Sequence, residues 1–550
     1  GPLEERPGHL SPWRYRSTDG MGLLEFLEWC EDLKMQPVLA VYAGMALQSR
    51  FIATGDALKP LVQDALDEIE YVTADESTTW GARRAKDGHP APFKLNFVEV
   101  GNEDNLGGGA RTYEERFATF YDGIKAKYPD LKVIATYRVN QRTPDLVDDH
   151  FYRSAKQMER DSHHYDPDKI SRTGPKVFVG EWATREGSPT PNLNAALGDS
   201  AWMTGMQRNS DLVLMHAYAP LFVNVNPGGM QWPTDLIGYN TLTSYGSPAY
   251  YAQVMFSQNL GDTVLPVELT PPAAAPVEEA PPHGGIGLAT WNTTAEYKDI
   301  KVTHGDQVLY ESDFGKDTSG WRPTRGSNWN VVEGAYRQTG NGQNHRTIYQ
   351  DPDWKDYTLT LKARKLSGDE GFIIMVHAAD ADNFMWWNVG GWTNTKTGLE
   401  VSQDGEHTPL AEQVPVTVET NRWYDVRVEV KGREIKCYLD DKLISQGEQP
   451  KLPPPAMVFA TASRADDTGR VILKFVNAQA EPAKMEIKLQ GIDKVSKADA
   501  IVLSGNPTDV NSPGDPMKIS PKTSPITDAG ASFTHEFPAH SVTVLRLDTK

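Results

Sequence analysis

The chain is poor in cysteine, with two in 550 residues. Cys30 falls in the helix-like stretch MGLLEFLEWCEDL and Cys437 in the strand-like KCYLDD, so neither a disulfide framework nor a cysteine metal site is expected. Long apolar runs are also missing. None approaches the roughly 18 residues that would suggest a membrane span, so no membrane segment is expected. Positive charge is in deficit: the formal net charge is −19, which argues against nucleic acid or anionic membrane as a partner. The opening GPLEERPGHL has no charged n-region and no apolar h-region, so no signal peptide is read there, and the start resembles the middle of a domain.

What is present points to carbohydrate. Fourteen Trp and 21 Tyr supply flat faces for sugar rings, although any single large aromatic is more often core than ligand platform. At 550 residues the chain exceeds one core, and two to four domains are expected.

Over the first 255 residues strand-like and helix-like stretches alternate, which predicts a parallel sheet with helices. Six strands are read at Pro37–Gly44, Phe97–Glu103, Lys132–Arg138, Asp148–Tyr152, Val177–Ala183 and Asp211–Ala219. A closed eight-stranded barrel would need two more on the N-terminal side. VLPVELTPPAAAPVEEAPPHGG then reads as a strand-like run followed by a Pro/Ala/Glu-rich linker. Residues 284–450 show short strands with Gly, Asp and Asn turns, as in a β-sandwich. A second proline cluster, KLPPPA, is followed by another set of alternating strands, read as structural.

FVEVGNEDN and VFVGEWATR each bring an apolar run to a glutamate, Glu103 and Glu181. A buried strand does not normally finish on a carboxylate unless that charge is paired, hydrogen-bonded or at work. Two carboxylates facing one pocket are what retaining glycoside hydrolysis requires, one as proton donor and one as nucleophile. Their mutual repulsion helps to separate the two pKa values. Both roles being filled by carboxylates, no cofactor and no metal are implied.

VEVGNEDN, DDHFY, VGEWAT, TDGMGLLEFLEWCEDL and DLIGYN…SYGSPAYYAQVMFS together resemble glycoside hydrolase family 51, over residues 1–269 and again from about residue 456. The resemblance implies an α/β plus all-β fold: a (β/α)8-type TIM barrel, here without its first two strands, and a C-terminal β-sandwich. It implies domains at 1–255 (partial catalytic barrel), 256–275 with 455–550 (C-terminal sandwich) and 284–450, an insertion resembling a concanavalin-like or laminin-G-type jelly roll. The implied activity is retaining, exo-acting removal of α-L-arabinofuranosyl groups from arabinoxylan or arabinan. Glu103 matches the acid/base, Glu181 the nucleophile and Asn102 the residue that binds the sugar 2-hydroxyl. Tyr152 is expected to orient the nucleophile, with His150 close by, and Trp182, His216, Gln231 and Trp232 are candidates for the walls of the sugar pocket.

Within NFMWWNVGGWTN, Trp386, Trp387 and Trp392 offer either a sugar platform or core packing, and period two sets Trp386 and Trp387 on opposite faces. The partner expected is an arabinose-containing polysaccharide or oligosaccharide, and the two absent strands are either missing from the chain or supplied by a separate N-terminal polypeptide. A polymer substrate favours an extracellular or periplasmic location. Competing readings are an endo-glucanase or xylosidase on the same fold, and a non-catalytic carbohydrate-binding protein.

Overall fold

Short β-branched and apolar runs become the six parallel strands that carry the site: β1 (Val38–Val41), β2 (Phe97–Val100), β3 (Lys132–Ala135), β4 (Leu146–Arg153), β5 (Lys176–Thr184) and β6 (Val213–Tyr218). They form one sheet in chain order, each pairing in parallel with the next. The structure is a computed structural model describing all residues except 1–4, 12–14, 47–49, 107–108, 231, 233, 271–281, 316–317, 325–326, 341, 350–353, 381–382, 404–405, 451–456 and 550. It divides into two units, residues 1–273 with 455–550, and residues 274–454.

Helices follow the strands on the outer face: α1 (Leu23–Asp32) before β1, α2 (Lys59–Thr73) and α3 (Thr79–Asp87) before β2, and α4 (Ala110–Lys127) before β3. They continue with α5 (Ala155–Arg160), α6 (Leu193–Arg208) and α7 (Pro248–Ser257). Asn192 and Ser247 cap α6 and α7 with side-chain oxygens that accept from Ala195 and Tyr250 N–H groups.

Period-two alternation sorts the strand residues. Val98, Val100, Val133 and Ala135 pack outward on Val72, Phe117, Phe120 and Ile124. Val177, Val179 and Trp182 pack outward on Trp202, Met206, Met255 and Phe256. On the inner face, Val38, Phe97, Ile134, Leu146, Phe178 and Met215, one from each strand, form an apolar layer. This arrangement fits the wall of a TIM barrel.

Among the described strands, β1 and β6 each pair on one side only. Large apolar side chains stand exposed near these edges, with Tyr42 and Leu214 each at 50% and Phe222 at 48%.

The same unit holds a six-stranded antiparallel sheet in the order 263–265, 458–464, 471–477, 541–548, 497–504, 522–525. Its first strand, Thr263–Leu265, pairs with Val458–Arg464, although about 190 residues separate them in the chain. The other unit comprises two eight-stranded antiparallel sheets around one core that includes Ile286, Leu288, Tyr297, Leu359, Trp387 and Val428. Trp387 faces that core, and Trp386 lies on the opposite face beneath the His407 ring, 4.3 Å between centroids. Both are buried, so neither presents an open stacking face.

Two details differ from the sequence reading. DDHFY is the middle of an eight-residue strand rather than a short strand end. Glu103 lies three residues past the end of β2, whereas Glu181 lies inside β5 rather than at its end.

Candidate active site

The Glu103 turn is held from beneath. After β2 the chain bends at Gly101 (φ +91°), where a Cβ would sit 2.6 Å from the Asp104 carboxylate. Glu103 itself has φ +50°, a conformation costing roughly 1–2 kcal/mol in a non-glycine residue. It persists because several contacts fix it. The Glu103 N–H donates to Thr136 Oγ1 (2.8 Å) and the Asn102 N–H to Asp104 Oδ1 (3.1 Å). Asp104 is paired with Arg116 of α4, which also donates to the Ala43 carbonyl (2.9 Å). Tyr113 of α4 donates to the Val100 carbonyl (2.6 Å) and accepts from the Thr136 N–H (2.8 Å).

Glu181 reaches the same space through a shift of register. Between β4 and β5, Asp148 pairs with Phe178 but His150 pairs with Glu181, so one extra residue is accommodated on β5. Such a bulge re-aims the side chains that follow it. Gly180 lies in this bulge, and a Cβ there would collide with the Asp148 carboxylate. Without one, the Gly180 N–H donates to Asp148 Oδ1 at 2.7 Å.

The side chains converge on His150. Its Nδ1 lies 3.0 Å from Glu103 Oε1 and 3.6 Å from Glu181 Oε2, and its Nε2 lies 2.8 Å from Asp148 Oδ2. Tyr152 Oη donates to Glu181 Oε2 at 2.7 Å. One oxygen from each glutamate and a His150 nitrogen all lie within 4.8 Å of one another. Burial alone would lower the His150 pKa, but hydrogen bonds to the Asp148 and Glu103 carboxylates outweigh it and push it up to about 10. The same bond from His150 holds Glu103 below the usual glutamate range. Burial, then the bond to Glu181, raises the Tyr152 phenol and keeps it a donor. With both ring nitrogens facing carboxylates, the doubly protonated imidazolium is the form these hydrogen bonds favour.

Glu103, Tyr152, Glu181, Arg185, Trp232 and Asp235 line a pocket of about 690 Å³. The Arg185 guanidinium stacks 4.2 Å from the Tyr152 ring centre and 5.1 Å from that of Trp232. Asp235 is 3% exposed with one oxygen lacking a hydrogen-bond partner, and burial raises its pKa to about 7.

The profile of the α-L-arabinofuranosidase 1 domain matches residues 1–172, and that of the α-L-arabinofuranosidase C-terminal domain matches residues 180–541, more than half of the chain. The chain belongs to the α-L-arabinofuranosidases of glycoside hydrolase family 51. This family 51 chain is 36% identical to an extracellular exo-α-L-arabinofuranosidase of Streptomyces chartreusis, over 100% of its own length and 66% of that protein's. It is 44% identical to a probable α-L-arabinofuranosidase A of Aspergillus terreus, over 48% of the chain and 43% of the relative. It thus spans less than two thirds of the length of these relatives. An arabinose-bound family 51 α-L-arabinofuranosidase superposes with a TM-score of 0.62 at 24% identity, over 100% of this chain and 60% of the other. The Thermotoga maritima α-L-arabinofuranosidase in complex with arabinose gives 0.55 at 15% identity, over 99% and 83%. Nothing in these comparisons supports a separate N-terminal polypeptide.

Of the residues singled out in this family 51 sequence, the fold brings together Glu103, His150, Tyr152, Glu181 and Trp232. Asn102 is exposed beside Glu103. Trp182 and His216 do not wall the pocket. Trp182 follows an inward glutamate, so it points outward, has 0% exposure and packs among helix residues, donating its indole N–H to His216 Nδ1 at 3.3 Å. Gln231 lies outside the described residues. Asp148, Glu99, Arg185 and Asp235 were not singled out. The pair of aspartates before His150 was the one legible hint, since a charged side chain at an inward strand position needs a partner. Arg185 and Asp235 carry no local pattern, because only the fold brings them to the pocket.

Proposed function

We propose that this chain is the catalytic part of a retaining, exo-acting α-L-arabinofuranosidase that removes terminal arabinofuranosyl groups from arabinan or arabinoxylan. The carrying observation is that carboxylate oxygens of Glu103 and Glu181 lie within 4.8 Å of each other. Retaining enzymes hold their carboxyls about 5–5.5 Å apart, whereas inverting ones need about 6.5–9.5 Å to admit water. Glu181, oriented by Tyr152, attacks the anomeric carbon while Glu103 protonates the leaving oxygen. Water then attacks the glycosyl–enzyme ester with Glu103 as base. Asn102 holds the sugar 2-hydroxyl, Trp232 and Arg185 supply a wall, and no cofactor takes part. Because its substrate is a polymer and its Streptomyces relative is described as extracellular, we place the protein outside the cytoplasm. Among the described residues no helix is long and apolar enough to cross a membrane.

The two open edges, with Tyr42, Leu214 and Phe222 exposed near them, support a closed barrel with two further strands between β6 and β1, where the pocket would gain its remaining wall. Residues 274–454 are read as a concanavalin-like domain inserted between the first two strands of the C-terminal sandwich. Adding two βα units before residue 1, their sequence taken from the Streptomyces relative, should lower KM for arabinofuranosides. An unchanged KM would count against closure.

Release of nitrophenol from 4-nitrophenyl α-L-arabinofuranoside, with the xyloside and a β-glucan alongside, tests the substrate. Glu103→Gln should lose on the order of 10²–10³-fold on arabinan. With a good aryl leaving group the first step needs little proton assistance, so a burst of nitrophenol should precede a slow steady state. Equal losses on both substrates would remove Glu103 from the acid role.

A further inference from the structure

Below His150 lies a second carboxyl that the reaction as written does not use. Glu99 sits on β2 at an inward position, between β1 and β3, and is 6% exposed. It stands beside Asp148, itself 6% exposed, and its Oε1 has no hydrogen-bond partner. The Asp148 oxygens already accept from Gly180 N–H and His150 Nε2–H. Two buried carboxyls side by side do not both stay ionised, so one carries a proton. Asp148 is the acceptor for two donors, while Glu99 would hold a bare buried charge on Oε1 if ionised. The proton therefore belongs to Glu99. Burial, then the neighbouring Asp148 charge, also drives its pKa far above the ordinary range.

We propose that Glu99 is a positioning residue: as a neutral acid it donates to Asp148, limits the negative charge beneath His150, and so sets how readily His150 yields its Nδ1 proton to Glu103. This rests on the glycosidase reading above. In the free pocket His150 and Glu103 form an imidazolium–carboxylate pair, so Glu103 starts without the proton it must deliver. As the glycosidic C–O bond breaks, its electrons go to the leaving oxygen. The Nδ1 proton of His150 passes to the Glu103 carboxylate and from it to that oxygen, while the Glu181 carboxylate bonds to the anomeric carbon. The groups facing His150 are Glu103 and Glu99 from β2 and its following turn, Asp148 from β4, and Glu181 from β5. Tyr152 acts through Glu181, and Arg185 faces Glu103.

The test compares the pH dependence of kcat and KM in the full chain and in its Glu99→Met and Glu99→Gln variants. Without a donor on Asp148, Glu99→Met binds the His150 proton more tightly. Its kcat should fall about tenfold with little change in KM, and the alkaline limb should rise by about one pH unit. Glu99→Gln restores a neutral donor and should bring the limb back. A limb that falls in both variants would show that Glu99 carries charge, and equal losses of kcat with an unmoved limb would show a merely structural role. Either result overturns the proposal. Carboxyl ¹³C NMR of glutamate-labelled protein reads the proton directly and needs neither turnover nor the methionine variant. A glutamic acid still protonated at pH 8 and missing from Glu99→Gln is expected. Its absence overturns the proposal, whereas its presence in a chain inert toward arabinofuranosides would leave Glu99 protonated and sink the glycosidase reading alone.

Discussion

Replacing Glu181 by alanine is expected to abolish turnover of 4-nitrophenyl α-L-arabinofuranoside, with a loss on the order of 10⁴-fold or more, about 5 kcal/mol of transition-state stabilisation. The size follows from the role. Without the carboxylate no ester can form, and the developing positive charge at the anomeric carbon loses its counter-ion. The fold should survive, because Glu181 is half-buried and its one strong bond is accepted from Tyr152. The vacated space also allows a stereochemical check. Azide entering from the Glu181 side of Glu181→Ala would give an arabinofuranosyl azide of inverted configuration. In Glu103→Ala, azide attacks the intermediate already formed on Glu181 and gives the retained product. Retained azide from the Glu181 variant, or a residual rate within tenfold of the parent, would remove Glu181 from the nucleophile role.

The sequence made the two glutamates visible because each stands where a strand should be apolar. It also exposed the six-strand pattern, because parallel strands buried on both faces are short runs of Val, Ile, Leu and Phe. It could not show that Trp182 turns away from the sugar. That depends on the register shift between Asp148 and His150, and a one-residue slip moves every following side chain to the other face. Glu99 was hidden for a related reason. One inward carboxyl in FVEV looks like an ordinary alternation of polar and apolar residues until β4 places Asp148 next to it. Helix α1 reads as amphipathic through Leu23, Leu24, Leu27 and Cys30, yet only Leu27 is buried, while Phe26 and Trp29 are exposed at 49% and 37%. Those exposed faces are ones the proposed additional strands would help to cover.

The second large effect should come from a residue that touches no substrate. Asp104 and Arg116 form a buried ion pair at 2% and 0% exposure, and removing one partner strands the other charge. Asp104→Ala should therefore cost about 3–5 kcal/mol of stability. Arg116 would keep only neutral acceptors such as the Ala43 carbonyl and Thr112 Oγ1. Replacing both residues by leucine should recover much of that loss, since two well-packed apolar side chains avoid burying any charge. Activity should not recover with stability. Asp104 Oδ1 also receives the Asn102 N–H, the bond that helps to hold Glu103 at φ +50°. Freed of it, the turn can relax toward an ordinary backbone and carry the Glu103 carboxyl away from His150 and Glu181. Misplacing a reacting group by about 1 Å can cost on the order of 10²-fold. Denaturant melts and kcat/KM of the single and double variants separate the two effects: stability restored with activity still low places Asp104 as the keeper of the acid's geometry, and restoration of both would leave the pair with a structural role only.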